Sequence, residues 1–92
     1  MELARVHIFV SGKVQGAWYR EGTKKEANKL KVFGWIKNLE DGRVEALLEG
    51  EKESLEKMLV WAKRGSFWSK VENIEISWEE HKKDFQDFKI VY

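Results

Sequence analysis

Apolar residues recur along this chain first at the strand period of two, then at the helical period, then twice more at two, then again at the helical period and finally at two. Ala4, Val6, Ile8 and Val10 fall on one face of an opening strand, and Arg5, His7, Phe9 and Ser11 on the other. The glycine-bounded segment Gly12-Lys13-Val14-Gln15-Gly16 breaks it. A helix then fits from about Arg20 to Lys31, rich in Lys and Glu, with Ala27 and Leu30 as its clearest inward positions. An apolar, aromatic run from Val32 to Leu39 and an alternating run from Val44 to Glu49 follow, separated by Glu40-Asp41-Gly42-Arg43. Asp-Gly between two such runs signals a hairpin, because the turn needs a positive φ. Gly50 is read as the end of the second strand. Leu55, Met58, Leu59 and Ala62 repeat at helical spacing, and Gly65 is placed to stop that helix as a left-handed cap. Val71 leads into a strand in which Ile74, Ile76 and Trp78 share a face. The charged stretch Glu79 to Asp84 precedes a last short strand containing Phe85, Phe88, Ile90 and Tyr92.

This βαββαβ order with a short extra strand predicts an α+β fold of the ferredoxin-like, split-βαβ kind. One mainly antiparallel sheet would carry two helices on a single face. The 92 residues bound the reading to one domain, 1–92. Five Trp and five Phe supply large buried area in a chain too short to waste any. Trp35, Trp61, Trp68 and Trp78 therefore read as core or sheet packing.

Composition removes several classes of function. Seventeen basic and 16 acidic residues leave a net charge of +1, so no global field draws the chain to nucleic acid or an anionic membrane. The absence of cysteine excludes thiolate chemistry and cysteine-based metal sites. No stretch approaches the ~20 apolar residues of a membrane span. The opening Met1-Glu2-Leu3-Ala4-Arg5 carries an acid and lacks the long apolar run of a signal peptide, so the expected location is the cytoplasm. Monomer is the expectation at this size and charge.

The segment from Gly12 to Arg20 joins a strand to a helix start. Glycines there allow successive N–H groups to turn inward around an anion. The helix start adds unpaired N–H groups and the positive end of its dipole. No Ser, Thr, Asp or Asn lies between Lys13 and Gly22 to cap that helix. Arg20 sits where loop meets helix, and a guanidinium can grip two phosphate oxygens at once. Taken alone, however, a glycine-containing loop is more often a bend beside a surface arginine.

Two blocks change that balance. Val10-x-Gly12-x-Val14-Gln15-Gly16-x-x-x-Arg20 closely resembles the signature loop of acylphosphatases. Gly34-Trp35-Ile36-Lys37-Asn38-x-x-Asp41-Gly42-x-Val44-Glu45 resembles that family's other signature, and Phe85-x-x-Phe88-x-Ile90 its usual ending. Position by position, the resemblance makes Arg20 the phosphate-binding residue and Asn38 the residue that holds the attacking water. It makes the backbone of Gln15, Gly16, Ala17, Trp18, Tyr19 and Arg20 the phosphate cradle. It implies hydrolysis of a small-molecule acyl phosphate, with inorganic phosphate as product and no cofactor or metal. Departures from the family pattern are Ala17 for valine, Tyr19 for phenylalanine, Lys31 where glycine is frequent and Ser66 where proline is common. Trp18 and Tyr19 either border the pocket or pack the loop.

No nucleophile-plus-base pair stands out. His7 falls mid-strand and His81 in a charged linker, and both read as structural or solvated. Glu79-Glu80 against Lys82-Lys83 reads as a solvated, ion-paired stretch. For an acyl phosphate this matters little, because the leaving carboxylate departs unprotonated. Two rival readings share the fold. One is RNA binding with Phe9 as a stacking platform, which the near-zero charge and the missing basic-Gly-aromatic signature disfavour. The other is a non-catalytic anion- or carbamoyl-phosphate-binding module within a larger protein. Against that one stands a chain that, on the sequence reading, begins and ends with the domain.

Overall fold

A computed structural model describes residues 2–92. The elements run β1 (Leu3–Lys13), α1 (Tyr19–Leu30), β2 (Phe33–Asn38), β3 (Val44–Glu51), α2 (Lys52–Arg64), β4 (Lys70–Glu79) and β5 (Phe88–Val91). The strands form one sheet in the order β4-β1-β3-β2-β5. All neighbours pair antiparallel except β2 and β5, which are parallel. Among the described residues no helix is long and apolar enough to cross a membrane.

The core lies between one sheet face and the two helices. Val6, Ile8 and Val10 of β1 meet Val44, Ala46 and Leu48 of β3 and Ile36 of β2, all buried. Leu55, Met58, Leu59 and Ala62 of α2 and Ala27 of α1 close over them, as their spacing predicts. Leu30 is partly buried against the same cluster.

Several expectations change once strands are paired. Gly50 does not end β3: it pairs with Ala4, Glu51 pairs with Leu3, and α2 begins at once at Lys52. Ile76 and Trp78 sit opposite Ile8 and Val6, yet both are exposed, on β4 at the edge of the sheet. Trp68 is exposed as well, in the turn after α2, so of the four tryptophans read as packing only Trp61 is in the core. Phe85 precedes β5 rather than joining it. Gly65 follows α2 with φ 76° and ψ −173°, a positive φ but not a left-handed helical cap. The chain there turns back through Ser69, whose Oγ donates to the Ser66 carbonyl at 2.9 Å.

The left-handed helical cap belongs instead to Lys31, with φ 58° and ψ 43°. The N–H of Val32 reaches back to the Ala27 carbonyl at 2.8 Å and closes the end of α1. A lysine side chain pays a steric cost in this conformation that glycine does not. Lys31→Gly should therefore stabilise the fold by about 1 kcal/mol, the relief of strain outweighing the added freedom of the unfolded chain. Thermal unfolding should show a Tm higher by roughly 4–8 °C.

The charged stretch from Glu79 to Asp84 is not paired within itself. It docks on a buried pair on the open face of the sheet, Arg5 of β1 and its cross-strand partner Glu49 of β3. The Glu49 carboxylate accepts from Arg5 Nε at 3.0 Å, the Lys82 N–H at 2.8 Å and the Asp84 N–H at 3.1 Å. Arg5 also donates to Asp84 at 2.7 Å. Burial pushes the Glu49 carboxyl up, but the two N–H donors and the Arg5 and His81 charges outweigh it and hold it below the usual carboxylate range. Because the folded value lies below the unfolded one, this stabilisation is complete above the ordinary carboxylate range and is lost as pH falls through the folded value. Glu49→Gln should cost about 2 kcal/mol at neutral pH, the charge-assisted share of these bonds. Urea unfolding at stepped pH should show that cost shrinking on the acid side, where wild-type Glu49 is itself protonated.

Candidate active site

Near its end β1 shifts register against β4 between Ser11 and Gly12, which skips Glu72 of β4, and pairing continues to Lys13. Gly12 has φ 122°, and a Cβ there would lie 2.2 Å from the Lys70 carbonyl oxygen, so β4 can approach only a glycine. The loop that follows bends left-handed twice, at Gly16 with φ 68° and at Trp18 with φ 60° and ψ 21°. Such reversals turn successive backbone amides toward one side. Trp18 is also the N-cap of α1, and no side chain caps the helix. The first intrahelical bond runs from the Gly22 N–H to the Trp18 carbonyl at 3.0 Å, so the N–H groups just before it have no carbonyl of the helix to reach. The loop and first turn enclose a cavity of about 230 Å³ lined by Val14, Gly16, Trp18, Tyr19, Arg20 and Glu21.

Three contacts hold the loop in place. Gln15 Nε2 donates to the carbonyls of Leu39 at 2.7 Å and Arg43 at 2.9 Å, tying the loop to the β2–β3 hairpin. The Ser66 hydroxyl donates to the Ala17 carbonyl, tying the loop to the turn after α2. Tyr19 is buried and its hydroxyl donates to the Ala62 carbonyl at 2.8 Å. Burial pushes the Tyr19 phenol well above its ordinary value, so it stays a neutral donor. Of the two loop aromatics, Tyr19 thus packs the loop, while Trp18 is 65 % exposed at the cavity mouth.

Arg20 is half-buried in the cavity wall. Among the described residues it pairs with no carboxylate. Its guanidinium lies 5.0 Å from the centroid of the Tyr92 ring. Glu21 is the one acid in the first turn, where it complements the helix dipole.

Asn38 ends β2, one residue before Leu39 to which the loop is tied. It shares the strand parity of Gly34 and Ile36 and so projects on the helix side of the sheet. Its Oδ1 is buried and, among the described residues, has no hydrogen-bond partner. The side chains of Trp35 and Lys37, on the other parity, lie with His7 on the open face. There His7 contacts Glu45 at 2.7 Å.

Of the residues read from the sequence, Gly16, Trp18, Tyr19 and Arg20 line the cavity, whereas Gln15, Ala17 and Asn38 do not; Asn38 ends β2 next to Leu39, to which Gln15 is tied. Sequence reasoning missed Ser66 and Tyr92. Ser66 had a signal, since it stands where the resemblance leads one to expect proline. Tyr92 had none, because its approach to Arg20 depends on β5 running parallel beside β2.

Known proteins match the chain in sequence and in fold. The acylphosphatase family model matches residues 6–90. An acylphosphatase of Pyrobaculum calidifontis is 50% identical over 92 residues, covering 99% of this chain and 84% of that protein. One of Pyrobaculum aerophilum is 48% identical, covering 99% and 97%. The crystal structure of acylphosphatase from Bacillus subtilis superposes with a TM-score of 0.93 at 40% identity, covering 99% of this chain and 100% of that one. With nearly its whole length matched by sequence and by fold, the chain belongs to the acylphosphatase family.

Proposed function

We propose that this hydrolase cleaves the carboxyl-phosphate bond of acyl phosphates by direct transfer of the phosphoryl group to water, with Arg20 and the 15–20 backbone amides holding the phosphoryl group and Asn38 orienting the water. Water attacks phosphorus and forms the new P–O bond. The bond from phosphorus to the acyl oxygen breaks, and its electron pair leaves on the carboxylate. The attacking oxygen keeps one of its protons and the other passes to a phosphate oxygen or to solvent; because water itself attacks, no phosphoenzyme forms.

The chemistry asks little of a protein. The conjugate acid of the leaving carboxylate has a pKa of roughly 4, so no general acid is needed. Positioning and charge stabilisation of the transferring phosphoryl group remain, and amides, one guanidinium and an oriented water supply both. The observation that carries the reading is the uncapped start of α1, with its N–H groups and Arg20 on one small cavity. Acylphosphatase relatives spanning nearly the whole chain support the reaction class.

The test is steady-state hydrolysis of benzoyl phosphate in chelator, beside phenyl phosphate as a monoester. Rapid loss of the acyl phosphate alone is the expected result. A folded protein that turns over neither compound would leave an anion-binding module as the reading.

A further inference from the structure

The peptide between Ala17 and Trp18 is held in an orientation that Trp18 itself disfavours. Trp18 has φ 60° and ψ 21°, a left-handed conformation that crowds the Cβ of any residue but glycine. Rotating this one peptide plane changes only ψ of Ala17 and φ of Trp18. Such a flip would take Trp18 out of positive φ and leave the buried side chains of Ala17 and Tyr19 in place. The Trp18 ring is mostly exposed, so packing around it gives little resistance. Strain of this kind persists only where the surroundings fix it. Here the fixing contact is the Ser66 hydroxyl, which donates to the Ala17 carbonyl. Ser66 is in turn firmly placed. Its carbonyl accepts from the Ser69 N–H at 3.1 Å and from Ser69 Oγ at 2.9 Å. A Cβ at Gly65 would lie 2.3 Å from Ser69 Oγ, so the turn closes only over glycine. Proline, common at position 66 in the family pattern, has no hydroxyl to donate, so the tie comes from this chain's own serine.

In a trans peptide the C=O and the N–H point in opposite directions. The Ala17 carbonyl is turned toward Ser66, so the Trp18 N–H is turned away from it. Trp18 lines the loop cavity, whereas Ala17 and Ser66 do not. We infer that Ser66 is a positioning residue for the phosphate cradle: its hydroxyl holds the Ala17 carbonyl outside the cavity and so keeps the Trp18 N–H available to the phosphoryl group. The inference rests on the phosphoryl-transfer reading above and adds to it a side chain 49 positions from the carbonyl it holds. Without the tie, the relief of positive φ at Trp18 favours the flipped peptide. That form offers a carbonyl oxygen where the anion needs a donor. Phosphate then binds only the unflipped fraction of molecules, and its apparent affinity falls in proportion to that fraction.

The test measures the Kd of inorganic phosphate and the kcat and KM of benzoyl phosphate for the wild-type protein, Ser66→Ala and Ser66→Thr. All are taken well below the melting temperature, on variants whose circular dichroism matches the wild type. Ser66→Ala should weaken phosphate binding on the order of three- to tenfold, the worth of one neutral hydrogen bond, and lower kcat/KM by at least as much. Ser66→Thr keeps the hydroxyl and should restore most of both. A hydrogen bond that served stability alone would lower the Tm of Ser66→Ala and leave phosphate affinity and kcat/KM unchanged. That result, or an equal loss in Ser66→Thr, would overturn the role of Ser66 while leaving the reaction standing. Weaker phosphate binding in Ser66→Ala, beside a wild type that turns over no benzoyl phosphate, would keep the role at an anion site and overturn the reaction. A wild type that neither binds phosphate nor turns over benzoyl phosphate would overturn both.

Discussion

Arg20→Ala should lower kcat/KM for benzoyl phosphate by at least ~1000-fold, the largest effect expected from any single substitution in this chain. Loss of one neutral oxyanion donor typically costs 100- to 1000-fold. In the proposed mechanism Arg20 supplies two donors and a full charge to a dianionic group, so its removal should cost more than that. Arg20 is also the one basic side chain lining the cavity. No neighbouring lysine or arginine in that wall can take over. Arg20 is half-exposed and its aromatic contact is with Tyr92, itself 95 % exposed, so the fold depends little on it. The variant should unfold at a temperature close to wild type but lose the rise in Tm that inorganic phosphate gives. Arg20→Lys should recover only a minor part of the rate, because an ammonium restores charge without the two-pronged grip. A well-folded Arg20→Ala protein with phosphate protection intact would remove Arg20 from the proposed mechanism.

Asn38→Ala should behave differently in kind. Its loss is expected in kcat, by roughly 100- to 1000-fold, with phosphate affinity nearly unchanged. The distinction follows from position: Asn38 ends β2 on the hairpin side and does not line the loop cavity. Its buried Oδ1 has no partner among the described residues, an arrangement that costs stability when nothing occupies it. Asn38→Ala should therefore hold or raise stability, by up to ~1 kcal/mol, while activity collapses. Chemical denaturation run beside single-turnover kinetics separates the two effects. A loss of stability with little change in kcat would make Asn38 a structural residue and would require another holder for the water.

The site at the sheet end and the buried pair on the open face differ in what folding does with their polar groups. On the open face, Arg5 and Glu49 are cross-strand partners, and their charges are consumed by each other and by the backbone of the 79–84 stretch. At the sheet end, Arg20 and Asn38 keep unmatched polar capacity. A charge that folding satisfies serves stability, whereas one that folding leaves unmet is available to a ligand.

Much of this was legible in the linear chain. The strand faces of β1, the apolar stripe of α2, the Asp41-Gly42 hairpin and the uncapped start of α1 are all properties of residues a few positions apart. Period, turn chemistry and capping act over that range, so they could be read directly. The two signature blocks singled out Arg20 and Asn38 as candidates for the same reason, since each block is local. Tertiary structure alone decided what depended on distant partners. It made β4 an edge strand and left Ile76 and Trp78 exposed. It moved the left-handed helical cap to Lys31, docked the 79–84 stretch on Glu49, and set Ser66 and Tyr92 beside the loop. Local periodicity says which face of an element is apolar, but not which other element will cover it. Coverage, burial of charge and the closing of a site are set by strand order and by contacts between residues dozens of positions apart.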